Sequence, residues 1–245
     1  MVTEIVKLTV NDGIARIAMA DAKSANALGE EMVGALRDAF DAIAGTADIR
    51  VVVLTGEGET FSSGAPRELL LRLAAGELKP ADIVLPKLLL DCEVPVIAAM
   101  AGHATGGGFA LGLAADIILI GEESRYGFTF MNLGFTPGMG TTKLCEHVLS
   151  PAVTHELLYT GELRRGDRFA GSGINHVVPA SHVERLAFDL AARIAEKPRL
   201  ALTALKRTLS LPRRQAFEQS ITTESLMHQV TLAAAARQIQ DDYVE

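Results

Sequence analysis

Residues 94–121 read "VPVIAAMAGHATGGGFALGLAADIILIG". The runs "VPVIAAM" (94–100) and "DIILIG" (116–121) lack the alternation of a half-exposed strand. Continuous apolar runs of this length mark strands covered on both faces, as in a parallel sheet. Between them Gly106, Gly107 and Gly108 lead into a short helix, so the stretch reads as one βαβ unit. "RVVVLTG" (50–56) is a third buried run, followed by a polar, glycine-bearing loop and two short helices flanking "AAGELKPAD" (74–82). Towards the N-terminus, "IVKLTV" and "IARIAMA" alternate around Asn11-Asp12-Gly13, a hairpin signal. Met32, Leu36, Phe40 and Ile43 fall on one helical stripe. Beyond Thr136 the pattern is mostly helical, ending in a long amphipathic stretch over 213–243. The expected fold is α/β, with a core over residues 1–190 and a helical C-terminal region over 191–245 packed on it.

The balance of the chain narrows its partners. With 245 residues it can bury a large core without disulfides or a structural metal. Lys and Arg number 23 against 30 Asp and Glu, a net charge of −7. That argues against nucleic acid or an anionic membrane surface as the main partner. Cys92 and Cys145 show no ligand-like spacing and read as buried, reduced thiols. With no signal peptide pattern and no long apolar span, the expectation is a soluble, cytoplasmic protein. Hydrophobic residues make up 49%, which hints at contacts between subunits.

In open α/β sheets small ligands bind beyond the carboxyl ends of the strands. Two glycine-bearing loops leave such ends here, "FSSGAP" (61–66) and "GHATGGGF" (102–109). In the second, the glycines run into a helix start, where the first N–H groups lack intrahelical partners and the macrodipole is positive. Two such loops together can make a two-donor oxyanion hole. Neither the G-x-x-x-x-G-K-[ST] phosphate loop nor G-x-G-x-x-G accounts for these glycines. Tight packing of helix on strand remains the structural alternative.

Four segments, "ANALGEEMVGALRDAF", "IRVVVLTGEGETFSSGAP", "CEVPVIAAMAGHATGGGFALGLAADIILIGEES" and "LGFTPGMGTT", follow one another in an order and spacing that resembles the crotonase (enoyl-CoA hydratase/isomerase) superfamily. The resemblance implies a spiral of ββα turns, a C-terminal trimerisation region, assembly as trimers or hexamers, and binding of acyl thioesters. It places the oxyanion donors on the N–H groups of Ala65 and Gly107, with Gly64 and Gly106 beside them. It also implies two catalytic carboxylates, at the positions occupied here by Ala110 and Phe130. A methyl and a phenyl group cannot hold and deprotonate water, so hydration is not the expected reaction.

An enolate can instead be formed by losing CO2, which needs the oxyanion hole, an apolar pocket and a proton donor. "GFTPGMG" with "DCEVPVIAAMAGH" and "GGGF" resembles the decarboxylase subgroup of polyketide β-branching cassettes. The resemblance implies 3-methylglutaconyl thioester on the phosphopantetheine of an acyl carrier protein as substrate, and 3-methylcrotonyl thioester as product. No cofactor or metal is expected. By the same resemblance Lys79 would hold the departing carboxylate and His228 would deliver the proton; Lys87 is the competing lysine. His103, beside the glycine loop, is expected in a hydrogen-bonded supporting role at the substrate site. Ser62 and Ser63 read as polar loop groups. Arg164, Arg165 and Arg168, with Arg213 and Arg214, form either solvated helix faces or a landing patch for an acidic carrier protein. An enoyl-thioester isomerase and a non-catalytic thioester-binding subunit are the rival readings.

Overall fold

The computed structural model describes residues 4–78 and 85–242. At the N-terminus Asp12 and Gly13 both adopt positive φ, 48° and 79°. That is the turn whose twist suits a two-residue hairpin. It joins β1 (Val6–Asn11) to β2 (Ile14–Met19), antiparallel, with Val6 opposite Met19. From β2 onward the large sheet is parallel, adding β3 (Val51–Gly56), β5 (Val96–Met100), β7 (Ile117–Gly121) and β10 (His176–Val178) in that order. A smaller sheet contains β4 (Thr60–Ser62), β6 (His103–Thr105), β8 (Arg125–Gly127) and β9 (Leu163–Arg165).

Three times the chain passes from a strand of the large sheet to one of the small sheet and then into helix. β3 and β4 lead to α2 (Arg67–Ala74) and α3 (Pro86–Asp91). β5 and β6 lead to α4 (Gly107–Leu113); β7 and β8 lead to α5 (Thr141–Leu144) and α6 (Pro151–Thr160). This is the expected spiral of ββα turns. α1 (Glu30–Ile43) connects β2 to β3, with Glu30 and Glu31 in its first turn, where the dipole favours acids. Its stripe of Met32, Leu36, Phe40 and Ile43 is buried as the spacing predicts.

Both faces of the central strands are covered, which explains their unbroken apolar runs. Val52, Leu54, Ala98, Met100, Ile118 and Ile120 face the main core. The alternate residues Val51, Val53, Ile97, Ala99 and Leu119 meet Val183, Ala187, Ala191 and Ala195 of α7 (Ala180–Ala195). Alanine at successive turns lets α7 lie close on the sheet. Fully burying each valine, leucine or isoleucine contributes about 1.5–3 kcal/mol. The division read at 190/191 falls within α7, whose inner face belongs to this layer.

The final helix, α8, runs without a break from Arg199 to Asp242, with Pro212 inside it. The amphipathic pattern over 213–243 therefore marks only its second part. Tertiary ties on both sides of Pro212 hold the first part in place. Asp116, at the entry to β7, accepts Lys206 Nζ and Arg213 Nη2 at 2.5 Å each and the Val96 N–H at 2.8 Å. Lys206 Nζ also donates to Leu89 O at 3.0 Å, and Arg214 Nε donates to Leu90 O at 3.0 Å. Burial pulls the Lys206 pKa below its ordinary value, partly offset by Asp116. Among the described residues no helix is long and apolar enough to cross a membrane.

Candidate active site

The two glycine-bearing loops lie side by side at the carboxyl ends of β3/β4 and β5/β6. Their spacing is fixed by a mesh of hydrogen bonds. Thr105 Oγ1 donates to Ser63 O at 2.8 Å, tying one loop to the other. Ser62 Oγ donates to Asn26 O at 2.8 Å and accepts the Gly64 N–H at 3.2 Å. Gly64 O accepts the Leu28 N–H at 2.7 Å, and the Gly106 N–H donates to Gly127 O at 2.9 Å. Ser62 and Ser63 are thus loop-holding groups, as their sequence context suggests. Asn26, fully buried, is a support that sequence reasoning passed over. Its Nδ2 donates to Glu57 O and Thr60 O, and its Oδ1 accepts the Asp21 N–H.

Each glycine of the triplet has a different physical reason. Gly106 sits at φ 52°, ψ −121°, a conformation that L residues avoid. Gly107 is the first residue of α4, and a Cβ there would only meet Leu28 and Met139 side chains at 3.6 Å, on the cavity side. Gly108 packs α4 onto β4, since a Cβ there would collide with Ser62 backbone and side chain. A Cβ on Gly64 would stand 2.8 Å from Thr105 O and 3.2 Å from the Gly107 nitrogen. The Gly64 turn and the Gly107 N–H are therefore immediate neighbours.

Beside them opens a narrow, mostly apolar cleft. Gly64, Ala65, Gly106 and Gly107 form one side, and Phe130, Leu133 and Phe135 form another. Phe130 stacks on Phe128 with ring centroids 6.0 Å apart and meets Phe135 edge-on at 5.9 Å. His228 and Leu232 of α8 close the far wall. Among the described lining residues, His228 is the one with an ionisable side chain.

The histidine is held in one tautomer by its surroundings. Its Nε2 lies 2.8 Å from Thr136 O, so the hydrogen sits on Nε2 and is donated to that carbonyl. Nδ1 is left as a buried acceptor with no hydrogen-bond partner among the described residues. Burial lowers the His228 pKa from its ordinary value, against a smaller opposing effect of the Thr136 and Pro137 carbonyls. At neutral pH the resting imidazole is neutral.

One turn earlier on α8, Glu224 fixes the loop that carries Gly138 and Met139 into the cleft. Its Oε2 accepts the Gly140 N–H at 2.7 Å; its Oε1 accepts the Thr142 N–H at 2.9 Å and Thr142 Oγ1 at 2.7 Å. Burial is the largest influence on Glu224 and raises its pKa, while those three donors work in the opposite direction. Replacing it with glutamine sets an amide N–H against a backbone N–H on one side or the other. Glu224→Gln is expected to lower the free energy of unfolding by about 2 kcal/mol in a denaturant titration.

The other sequence-predicted residues fall as follows. Ala110 is buried in the core and does not line the cleft, because a methyl on the first turn of α4 does not reach it. His103 is exposed on β6, away from the cleft, where its Nδ1 accepts the Arg125 N–H at 2.9 Å. Its role is to tie β6 to β8, and its expected place at the substrate site is corrected. Lys79 lies outside the described residues. Lys87 is exposed on α3, pairs with Asp91 at 2.8 Å and borders a different cleft. Both cysteines are free, with Cys145 buried and Cys92 only partly so.

The basic clusters are largely neutralised within the chain. Arg164 pairs with Glu156 and Glu162, Arg165 with Asp167, Arg213 with Asp116 and Arg214 with Asp91. Arg164 and Arg165 lie on β9 and Arg168 in a short 3₁₀ turn, so neither this group nor the largely buried Arg213 forms a solvated helix face.

Comparison with known proteins agrees with this geometry. The sequence model of the family described as enoyl-CoA hydratase/isomerase matches residues 9–245. The chain is 39% identical over 225 residues to the bacillaene synthase decarboxylase PksI of Bacillus subtilis, covering 91% of this chain and 90% of that protein. It is similar to the ECH2 decarboxylase domain of CurF from Lyngbya majuscula, with 40% identity and a TM-score of 0.90 over 98% of this chain and 100% of that one. A structure from a dehydratase/decarboxylase enzyme couple involved in polyketide β-branching is 38% identical, with a TM-score of 0.93 over 98% of this chain and 96% of that one.

Proposed function

The chain belongs to the enoyl-CoA hydratase/isomerase family, and from that membership we propose that it is a decarboxylase of a β-branched glutaconyl thioester in polyketide biosynthesis. The observation that carries the proposal is the site's asymmetry. Two oxyanion loops face a wall built from Phe130 and Phe135, and no carboxylate lines the cleft among the described residues. Such a site can stabilise an enolate but has no pair of acids with which to add water. Similarity to PksI and to the CurF domain supports the same reading.

The proposed substrate is 3-methylglutaconyl thioester on an acyl carrier protein, and the product is 3-methylcrotonyl thioester. The C4–C5 bond breaks and CO2 departs. Its electron pair forms C3=C4, the C2=C3 pair moves to C1–C2, and the thioester oxygen becomes anionic. The N–H groups of Ala65 and Gly107 hold that oxygen. One proton is then taken up, at C4 for the α,β-unsaturated product or at C2 for its isomer.

His228 is suited to deliver that proton through Nδ1. The substrate carboxylate beside Nδ1 favours the imidazolium, counteracting the burial that keeps the empty site neutral. When CO2 leaves, the counter-charge disappears and burial again favours neutral imidazole. The proton is thereby driven onto carbon. Lys79 is proposed as the point charge that orients the carboxylate.

Leu200, Leu205 and Leu209 of α8 and Tyr159 of α6 are large apolar side chains left exposed, and they support assembly as a trimer or hexamer. A cytoplasmic location goes with the proposed carrier-protein substrate.

The test is incubation with 3-methylglutaconyl carrier protein followed by mass spectrometry. Loss of CO2 is expected. Full recovery of the substrate overturns the proposal, and a shifted double bond at unchanged mass identifies an isomerase, a reaction for which the single acid–base group His228 suffices. Binding without turnover identifies a non-catalytic thioester-binding subunit. His228→Ala is expected to lower kcat by about 10²–10⁴-fold, the range for loss of an acid–base group, and Lys79→Ala is expected to lower kcat through loss of the charge that orients the carboxylate. Lys87→Ala, in the same assay, should leave kcat unchanged.

A further inference from the structure

Thr129 lies between Phe128 and Phe130, and its hydroxyl is a polar group of the cleft that the proposed reaction leaves unused. It lines the cleft, it is only partly buried, and no group among the described residues bonds its Oγ1. Its position is nevertheless fixed. Thr129 O accepts the Asn132 N–H at 3.1 Å, and two residues earlier Gly127 O accepts the Gly106 N–H at 2.9 Å. Phe128 and Phe130, on either side, are stacked and buried.

That frame aims Oγ1 at the glycine loop. A Cβ built on Gly106 would stand 3.6 Å from Thr129 Oγ1 and 3.8 Å from the Phe130 ring edge. The absent side chain of Gly106 leaves a space bordered by the Thr129 hydroxyl and the Phe130 ring edge, and Gly107 follows directly in the chain.

Resting on the decarboxylase reading for its substrate, we infer that Thr129 is a third hydrogen-bond donor to the thioester oxygen, working with the two backbone donors. The bond strengthens as that oxygen becomes anionic, because bonds to charged acceptors are the stronger class. It therefore acts on kcat more than on KM.

Two measurements test this. In the first, kcat and KM for decarboxylation are compared among the wild type, Thr129→Val and Thr129→Ser. The valine variant keeps the shape and removes the donor; kcat is expected to fall about 10–100-fold with KM changed less than about threefold. Serine restores the hydroxyl, and kcat within about threefold of wild type is expected. A valine variant with more than half the wild-type kcat overturns the assignment, as does a serine variant as slow as valine.

The second measurement does not need turnover. Binding of 3-methylcrotonyl-pantetheine thioester is compared with that of the thioether lacking the carbonyl oxygen. Thr129→Val should weaken the thioester by about two- to threefold, in line with the small change in KM, and leave the thioether unchanged. Equal weakening of both, or of neither, overturns the inference. A wild type that discriminates in binding yet releases no CO2 overturns the decarboxylase reading alone.

Discussion

Gly64→Ala is expected to lower kcat/KM by about 10²–10³-fold, the loss seen when one oxyanion donor is displaced. Gly64 holds φ at +83°, so any side chain there is strained. The larger effect is steric. The new methyl meets Thr105 O at 2.8 Å, and that carbonyl belongs to the segment that carries Gly106 and Gly107. Relief requires the two loops to move apart, against the Thr105–Ser63 bond that sets their spacing. The donors on Ala65 and Gly107 then no longer converge on one oxygen. Gly45→Ala supplies the control, because Gly45 has a similar φ of +78° with nothing within 4 Å of the added carbon. It should cost about 1 kcal/mol in stability and leave kcat/KM unchanged. Equal catalytic loss in both variants would show that backbone strain, and not loop spacing, is responsible.

The second large effect is on stability. Asp116→Ala is expected to lower the free energy of unfolding by about 3–5 kcal/mol, because it leaves buried cations without their counter-charge. Lys206 has only 1% of its side chain exposed, and Arg213 has 13%. Removing Asp116 leaves Lys206 with Leu89 O and Arg213 with the carbonyls of Ala114 and Ala115. A thermal melt is expected to shift by about 10 °C, given the size of the chain. Lys206→Met should cost less, since Asp116 keeps Arg213 and the Val96 N–H. A loss below about 1 kcal/mol for Asp116→Ala would mean that α8 is held by its apolar contacts alone.

These two sites also show what a sequence can and cannot reveal. The central strands β3, β5 and β7 are legible because burial on both faces turns them into continuous apolar runs, and the Asp12-Gly13 hairpin because φ must be positive there; β10, three residues long and only partly buried, is not. The two glycine-bearing loops are legible from glycine placement after buried strands, and the structure brings them side by side. Asp116 is different. It is the anchor of α8, and nothing in its local sequence marks it as one. Its partners lie 90 and 97 residues away, beyond any local pattern. Glu224 is hidden for the same reason, because its donors are backbone N–H groups of a distant loop. Phe130, at one lost acid's position, lines the cleft. Ala110, at the other lost acid's position, proves too short to reach the cleft. Thr129 went unremarked because a single threonine beside phenylalanine carries no signal until Gly106 is seen opposite it.

The central claim is that this site makes an enolate by losing CO2 and does not add water to a double bond. The most direct measurement is turnover of 3-methylglutaconyl carrier protein in D2O and, separately, in ¹⁸O-labelled water, read by mass spectrometry and NMR of the released acyl group. The account predicts a product lighter by one CO2, carrying one solvent deuteron on carbon and no ¹⁸O. A product that keeps its carboxylate and gains an oxygen from solvent would contradict it.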